Sequence, residues 1–329
     1  MSPLMGPLDT LSNLEIECVF ATPLVEISRY RCHAGPHHED RIQIQPAHVI
    51  AFPHSGAFEF VQGGERTLID SNLVLFHNAG VPYTTRHPVG VHDTGSAIAV
   101  REDVLVEMLS RYDPAVTGHP ERPFLTSHAP VSSRAVLRER LLLRHITEAG
   151  TPNALAAEET ALHLIDEVVA IPFRLAGVEA AVAVHDSARR KALVESAKAL
   201  LSARFKEQLS LGEIAATLHS SPFHLSRTFK RETGLTVHRY RTRLRLREAL
   251  HRLWSSNADL TTLALELGFD THSHLTAAFR REFGVPPRAV REVRVTSADL
   301  RRIVRELEAD AARFPAEHGA LPTSADPQR

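Results

Sequence analysis

The spacing of apolar residues divides the chain into a β-rich first third and a helical remainder. Between about residues 15 and 100, short runs rich in Val, Ile, Phe and Tyr alternate with Gly, Pro, Asn and Asp clusters, which predicts seven or eight strands. The Gly63-Gly64 pair after FEFVQ is typical of a tight hairpin turn, where glycine tolerates positive φ. This spacing favours a small sandwich or barrel, and closing the barrel would remove exposed strand edges.

The period of the apolar positions becomes helical beyond Arg101. The segment EDVLVEMLSRY predicts a first helix, and SSRAVLRERLLLRHITEAG predicts a second helix that begins near Ser133. A third helix is predicted from Asn153 towards Phe173, and Pro172 is expected to end or kink it. The last two are amphipathic and form a predicted helical hairpin, which either covers the β lobe or meets a second subunit.

The stretch from Leu211 to Arg291 contains one pattern written twice. LGEIAATLHSSPFHLSRTFKRETG and LTTLALELGFDTHSHLTAAFRREFG each predict a short helix, a turn and a second helix with Leu and Phe four residues apart. Each ends in a glycine expected to adopt the left-handed conformation. A long helix between the copies carries alternate arginines from Arg239 to Arg247. Its core-facing residues are predicted to be Leu246, Leu250 and Leu253.

Charge is distributed unevenly along the 329 residues. The segment 189–294 contains 20 Lys and Arg against 10 Asp and Glu, whereas the remainder contains 18 against 29, so the net charge of -1 is a cancellation. A basic lobe is the electrostatic footprint of nucleic-acid binding. A solvated basic surface is the alternative, but that alternative does not predict the repeat within the same segment.

The repeats and the intervening RLRLREALHRL together resemble the DNA-binding domain of the AraC/XylS family of bacterial transcription regulators. The resemblance covers about Val194 to Glu292. It implies seven helices, with two helix-turn-helix units that read successive major-groove segments. The predicted fold is α+β and multidomain. Its parts are a small cupin-like β-barrel effector domain (1–112), a helical hairpin or dimerisation region (113–175), a linker (176–188), an all-α DNA-binding domain (189–294, with units at about 211–234 and 260–284), and a C-terminal helix with a disordered tail (295–329).

The same resemblance implies which residues contact DNA. The base-facing residues are predicted to be Phe223, Ser226, Arg227, His272, Ser273 and Thr276. The predicted phosphate contacts are Lys230, Arg280 and Arg281, for which pairing with Glu232 and Glu282 is the alternative. Arg227 is the best candidate for base readout, because its guanidinium can span both acceptors of a guanine edge. Ala277 departs from the longer residue that is common in the family, so the first unit is expected to carry most of the readout.

The β lobe is rich in histidine, with eight of the 20 histidines between His33 and His92. With the predicted barrel, this resembles more weakly the cupin-like effector domain of many family members. The residues predicted for an effector or metal site are His33, His37, His38, Glu39, His77 and His87. Imidazoles at a barrel mouth suit divalent transition metals. Ordinary turn and surface histidines are the alternative, since no pair shows the H-x-H-plus-Glu arrangement of a catalytic cupin.

These features predict a sequence-specific transcription regulator with no catalytic residues. Activation is the expected direction of control from the family resemblance, while the sequence features leave both activation and repression open. A metal-dependent cupin-type enzyme or metal sensor that carries a DNA-binding domain is the alternative. No cofactor is expected apart from a divalent metal in the N-terminal domain. The predicted partners are promoter DNA, RNA polymerase, a small effector of unknown identity and a second copy in a homodimer.

The remaining sequence features bear on the compartment. The chain lacks an apolar run of the roughly 20 residues that a membrane span needs, and its N-terminus is not typical of a signal peptide. The prediction is a cytoplasmic protein without a membrane partner, associated with the nucleoid when bound to DNA. Cys18 and Cys32 are too few for a disulfide framework and are predicted to be buried reduced thiols.

Overall fold

The computed structural model describes residues 14–33, 42–87, 92–148, 153–179, 187–255 and 259–292, with 296, 298 and 305. The strands are β1 (Leu14–Ala21), β2 (Val25–Cys32), β3 (Gln43–Ile44), β4 (Val49–Ser55), β5 (Ala57–Gln62), β6 (Glu65–Asp70), β7 (Leu73–His77), β8 (Pro82–Arg86), β9 (Asp93–Val100) and β10 (His128–Pro130). The helices are α1 (Glu102–Ser110), α2 (Ser133–Glu148), α3 (Ala154–Glu179), α4 (Ser187–Arg204), α5 (Leu211–Thr217), α6 (Pro222–Thr233), α7 (Val237–Ser255), α8 (Leu260–Glu266), α9 (His272–Phe283) and α10 (Pro287–Glu292).

The described strands form two open sheets, whereas the strand spacing favoured either a small sandwich or a barrel and the predicted fold was the barrel. The larger sheet has the order β1-β2-β9-β4-β7-β10 and the smaller has the order β3-β8-β5-β6. Among the strands that the structure describes, no pairing joins the outer strands of either sheet, so the barrel prediction is wrong. Apolar side chains from both sheets cluster together, including Phe60, Ile69 and Leu75. This cluster buries the facing sides of the sheets without closing them.

The β5–β6 hairpin confirms the predicted turn. Gln62 pairs with Glu65, and the two glycines between them have φ values of 60° and 84°. A two-residue turn with positive φ at both positions matches the right-handed twist of the strands, which explains the Gly63-Gly64 pair. The strands β3, β8 and β10 were not predicted, because runs of two to five residues show too little alternation.

The predicted helical hairpin, α2 and α3, packs on the larger sheet. Its buried residues, such as Leu137 and Leu164, share one core with Phe52 and Ile98 of the sheet. Pro172 neither ends nor bounds α3, which continues to Glu179 and into the predicted linker. A proline inside a helix removes one backbone hydrogen bond, and the turn before Pro172 is buried, with Val168, Val169 and Ala170 at most 1% exposed.

Seven helices, α4 to α10, follow among the described residues, as the resemblance implied. The pairs α5–α6 and α8–α9 are the two helix-turn-helix units, and α7 joins them. The first unit has a separate core around Leu201, Phe229 and Tyr240. The second unit shares the core of the N-terminal lobe, in which Phe279 and Phe283 lie in the same cluster as Leu137. The two units are therefore attached to the N-terminal lobe in different ways.

Polar contacts connect the first unit and its flanking helices to the smaller sheet. The Asp70 carboxylate accepts hydrogen bonds from the Tyr240 hydroxyl at 2.5 Å and the Ser202 hydroxyl at 3.1 Å. The backbone N–H of Leu68 donates to Glu195 at 2.5 Å. These contacts are buried or half-buried and directional, so they fix the first unit against β6 where no shared apolar core does so.

The described helices are too short or too polar to act as membrane spans. Within the described ranges, none is both long enough and apolar enough to cross a bilayer.

Candidate nucleic-acid interface and ligand cavity

The first reading helix, α6, begins and ends as its sequence predicts. Ser221 accepts a hydrogen bond from the backbone N–H of His224 at 3.2 Å, and Pro222 occupies the first helical turn. Gly234 ends the helix with a φ of 72°. Leu225 is fully buried, in line with its predicted core position. The helix therefore has a fixed start and one inward face.

The outward face of α6 carries the residues predicted to meet DNA. Phe223 is 76% exposed, an uncommon state for a large aromatic side chain. Arg227 and Lys230 are also exposed, and Ser226 is half-buried. An aromatic ring, a hydroxyl and two cations on one accessible helix face can donate hydrogen bonds, make apolar contacts and neutralise phosphates.

The second reading helix, α9, repeats this architecture with a more polar start. Thr271 accepts from the backbone N–H of His274 at 3.1 Å, and Gly284 ends the helix with a φ of 81°. Ser273 is exposed, whereas His272 and Thr276 are half-buried and lie 3.3 Å apart between Nε2 and Oγ1. Base edges would have to compete with the contact between His272 and Thr276. Ala277, Arg280 and Arg281 are exposed.

The acidic residue near the end of α9 has partners other than the arginines beside it. Glu282 accepts hydrogen bonds from Arg243 at 2.7 Å and from the Ser133 hydroxyl of α2 at 2.5 Å. Burial alone would raise the pKa of Glu282, but Arg243 and Ser133 lower it, so the group is held as a carboxylate. The alternative in which Glu282 pairs with Arg280 or Arg281 is therefore not what the structure shows.

Two arginines of α7 are buried, although the helical period placed only leucines on the core side. Arg247 donates to the carbonyl of Val131 at 2.9 Å, which ties α7 to the N-terminal lobe. Arg245 donates to the carbonyls of Phe205 at 2.6 Å, Glu207 at 2.8 Å and Gly268 at 2.6 Å. Burial lowers the pKa of Arg245 to about 10, so it remains charged at neutral pH.

The Arg245 contacts require a particular turn in the second unit. Gly268 has a φ of 77°, and a Cβ atom there would collide with the carbonyl oxygen of Lys206. Glycine therefore allows the turn to approach the end of α4 so closely that the Arg245 guanidinium reaches carbonyl groups of both. The corresponding position of the first unit is His219, which has a φ of 50°. Periodicity could not indicate this role, because it depends on carbonyls distant in sequence.

Comparison with known proteins assigns this region to a family. A model of the helix-turn-helix domain matches residues 214–293. The HTH-type transcriptional activators RhaS of Klebsiella pneumoniae (strain 342) and Escherichia coli (strain SE11) are each 38% identical over 96 residues. Residues 214–293 are therefore a helix-turn-helix domain, similar in sequence to part of these transcriptional activators. The match covers 29% of this chain and 34% of each relative, so the chain spans about a third of the relatives it matches.

Solved structures resemble the chain only distantly. A transcriptional regulator with an AraC-type DNA-binding domain from Chromobacterium violaceum is 28% identical, covers 32% of this chain and 94% of its own, and has a TM-score of 0.30. ToxT from Vibrio cholerae O395 is 11% identical, covers 82% of this chain and 98% of its own, and has a TM-score of 0.32. Likenesses at these scores carry no argument about architecture or ligands.

A cavity of about 420 Å³ lies where α7 meets the larger sheet. Strands β1, β2 and β9, helix α2 and helix α7 all line it. Its charged, imidazole and indole lining groups are Glu15, Glu17, Arg29, Arg31, His54, Arg140, Arg144, Glu148, His251 and Trp254. The volume is in the range of small-molecule sites, and the mixed charges suit a polar ligand.

A hydrogen-bonded network crosses the wall of this cavity. Glu139 accepts from the Ser96 hydroxyl at 2.6 Å and from His54 Nε2 at 3.0 Å. Arg140 contacts Nδ1 of His54 and, at 3.1 Å, Nδ1 of His251 on α7. An arginine can only donate, so both imidazoles must accept at Nδ1, which leaves the His54 proton on Nε2 facing Glu139. The network thus connects β4 of the N-terminal lobe with the helix that joins the reading units.

Three of the histidines predicted to form an effector or metal site lie within the described residues, and each has different neighbours. His33 is exposed and lies 3.4 Å from Glu15, whereas His77 is buried beside Phe60 and Tyr83. His87 is hydrogen-bonded to another residue, Asp93, at 2.6 Å. His37, His38 and Glu39 lie outside the described residues. None of the three described histidines lines the cavity.

The cysteines correct one prediction. Both are unpaired, but Cys18 is exposed and Cys32 is half-buried, so the prediction of two buried thiols is wrong for Cys18. Desolvation and the nearby Glu26 carboxylate raise the pKa of Cys18, which lowers its thiolate fraction at neutral pH.

Proposed function

We propose that the protein is a sequence-specific transcription regulator that binds promoter DNA with both helix-turn-helix units and acts as an activator. The observation that carries the proposal is the outward face of α6, where Phe223, Arg227 and Lys230 are exposed on a helix with a firmly capped start. The AraC-type domain accounts for the two units, and the exposed polar start of α9 supplies the second contact. We assign no catalytic residue.

Arg227→Ala is the first test of this proposal. Loss of a bidentate contact with a guanine edge is expected to cost about 1–3 kcal/mol at the cognate site and to relax preference at one base pair. The measurement is fluorescence anisotropy on the cognate duplex and on single-base variants, after selection of the site from genomic DNA.

Lys230→Ala is the matched control for Arg227→Ala. It removes an exposed cation from the same helix, but a phosphate contact carries no sequence information. We expect uniformly weaker binding to all duplexes and a shallower dependence of affinity on salt concentration. Unchanged affinity and unchanged base preference in Arg227→Ala would exclude Arg227 from base readout.

Control of DNA binding is proposed to come from a small polar molecule in the 420 Å³ cavity. The cavity is lined by both the N-terminal lobe and α7, the helix that joins the two helix-turn-helix units. A ligand there would contact both, and their relative position determines where the two reading helices lie. A second copy of the chain and RNA polymerase remain the predicted protein partners. We propose the effector site at this cavity, whereas the predicted site at His33, His37, His38, Glu39, His77 and His87 stays a prediction.

The single tryptophan of the chain provides a direct test of the cavity. Trp254 lines it, and the guanidiniums of Arg140 and Arg144 lie 5.4 and 5.5 Å from its ring. A ligand that displaces either arginine is expected to change the intrinsic fluorescence and, at the same concentrations, the affinity for DNA. Arg140→Met should abolish both responses. Ligands that alter DNA affinity with no change in Trp254 fluorescence would place the effector site elsewhere.

A further inference from the structure

Three potential metal ligands converge where the two sheets meet. Cys32 is the last residue of β2 and pairs in register with Asp93, the first residue of β9. His87 directly follows β8, a strand of the other sheet. Their side chains come from three separate segments of the chain, so the cluster arises only when both sheets are assembled.

The geometry of this cluster is compact. The Cys32 sulfur, a His87 ring nitrogen and an Asp93 carboxylate oxygen all lie within 4.8 Å of one another. Around a tetrahedral zinc ion, with bonds of about 2.0–2.3 Å, neighbouring donor atoms are roughly 3.3–3.7 Å apart. An ion could therefore be accommodated by side-chain adjustments of about an ångström or less, with the His87–Asp93 hydrogen bond of 2.6 Å lengthening.

The surroundings of the cluster restrain its donors. His87 and Asp93 have only 4% of their side chains exposed, and Cys32 is half-buried. The His87 ring centroid lies 6.0 Å from that of Phe58. Gly56 lies so close to the backbone of Asp93 that a Cβ there would be 2.8 Å from the Asp93 Cα. A dry, closely packed environment favours a preorganised site.

We propose that Cys32, His87 and Asp93 bind one divalent ion of the zinc class. A thiolate with an imidazole selects borderline-soft ions over calcium and magnesium, which prefer all-oxygen sites. The ion replaces the proton shared by His87 and Asp93 and the proton of the Cys32 thiol. Three protein donors leave a fourth position for water or an exogenous ligand.

An ion bound to Cys32, His87 and Asp93 would connect strands of the two sheets. Binding joins β2 and β9 of the larger sheet to the end of β8 of the smaller one. Arg31 and Thr94, the neighbours of Cys32 and Asp93, line the ligand cavity. Metal occupancy would thus set the position of one wall of the cavity. A reduced thiol beside a simple His87–Asp93 ion pair is the competing description of the same three residues.

The experiment uses the full-length protein and cobalt(II), which replaces zinc and gives visible bands when tetrahedral and an ultraviolet charge-transfer band when bound to thiolate. We expect about one cobalt ion per chain, displaced by zinc. Cys32→Ser should lose the charge-transfer band, and Cys32→Ser and Asp93→Asn should each weaken binding by more than about 100-fold. Cys18→Ser, which changes the other cysteine, should bind as wild type does.

If the variants fail to fold, differential alkylation of the wild-type protein tests whether Cys32 binds the ion. Cys32 should be protected from iodoacetamide by zinc and become reactive after chelation, while Cys18 should react equally in both states. Mass spectrometry of the peptides separates the two cysteines. A wild-type protein with no cobalt–thiolate band, a band that survives in Cys32→Ser, or equal alkylation of Cys32 with and without zinc would overturn the proposal. These readouts do not involve DNA and stand apart from the regulator function.

Discussion

Phe279→Ala is expected to lower the free energy of unfolding by about 3–5 kcal/mol. Phe279 is fully buried, and its ring lies 4.5 Å from that of Phe283 in the core that runs from the larger sheet through α2 into the second helix-turn-helix unit. The truncation removes buried apolar surface and leaves a cavity at the junction. Because the core is shared, we expect the N-terminal lobe and the second unit to unfold together in the variant.

Two phenylalanines serve as controls for this prediction. Phe229→Ala makes the same change in the separate core of the first unit, and Phe223→Ala removes an exposed ring. Urea unfolding should be followed by circular dichroism and by the fluorescence of Trp254, which packs against the shared core. Phe279→Ala should shift the unfolding transition seen by both signals, and Phe229→Ala should shift mainly the transition seen by circular dichroism. Phe223→Ala should change the free energy of unfolding from either signal by no more than about 0.5 kcal/mol. A Trp254 transition unmoved by Phe279→Ala would contradict the continuous core.

Arg245→Met is expected to cost about 3–5 kcal/mol and to abolish specific DNA binding. The substitution keeps most of the apolar stem but removes a charge-assisted hydrogen bond from the carbonyls of Phe205, Glu207 and Gly268. Of the three, the Gly268 carbonyl still accepts a hydrogen bond from the Gln208 amide at 2.7 Å. The bonds from Arg245 tie the end of α4 to the turn of the second unit. Without them the two reading helices would lose their fixed relative position, on which simultaneous contact with successive groove segments depends.

Arg252→Met is the matched control for Arg245→Met. Arg252 lies on the same helix and pairs with Glu266, but both groups are partly exposed, so its loss should cost no more than about 1 kcal/mol. Arg245→Lys should recover little of the stability, because a single ammonium group cannot reproduce the planar fork. Thermal unfolding and anisotropy on the cognate duplex give both quantities. Equal effects of Arg245→Met and Arg252→Met would remove the special role assigned to Arg245.

Local signals in the sequence predicted the elements of the DNA-binding half well. The Ser221-Pro222 start, the terminal Gly234 and the inward pair Leu225 and Phe229 all depend on residues within one or two helical turns. Such interactions are encoded by spacing alone. The same holds for the Gly63-Gly64 hairpin. The base-facing and phosphate-facing roles remain predictions, because they concern a partner that these local signals do not describe.

Signals that depend on distant segments were misread or missed. Pro172 was expected to end or kink its helix, but α3 continues past it to Glu179, so the predicted end is wrong. Arg245 and Arg247 were not expected to be buried, because their carbonyl partners come from other parts of the chain. The cluster of Cys32, His87 and Asp93 was missed, because the register of β2 with β9 places Cys32 beside Asp93 and the end of β8 adds His87. Composition carries no information about register.

By itself, the sequence determined that the chain has a β-rich N-terminal lobe and a basic helical lobe with two reading units, since periods of two and of 3.6 residues and the helix caps are local properties. Only the tertiary structure decided that the sheets remain open, that the second unit shares the core of the N-terminal lobe, and that a cavity and a Cys–His–Asp cluster form between distant strands. These features depend on which surfaces meet, and that is set by packing and strand register over the whole chain.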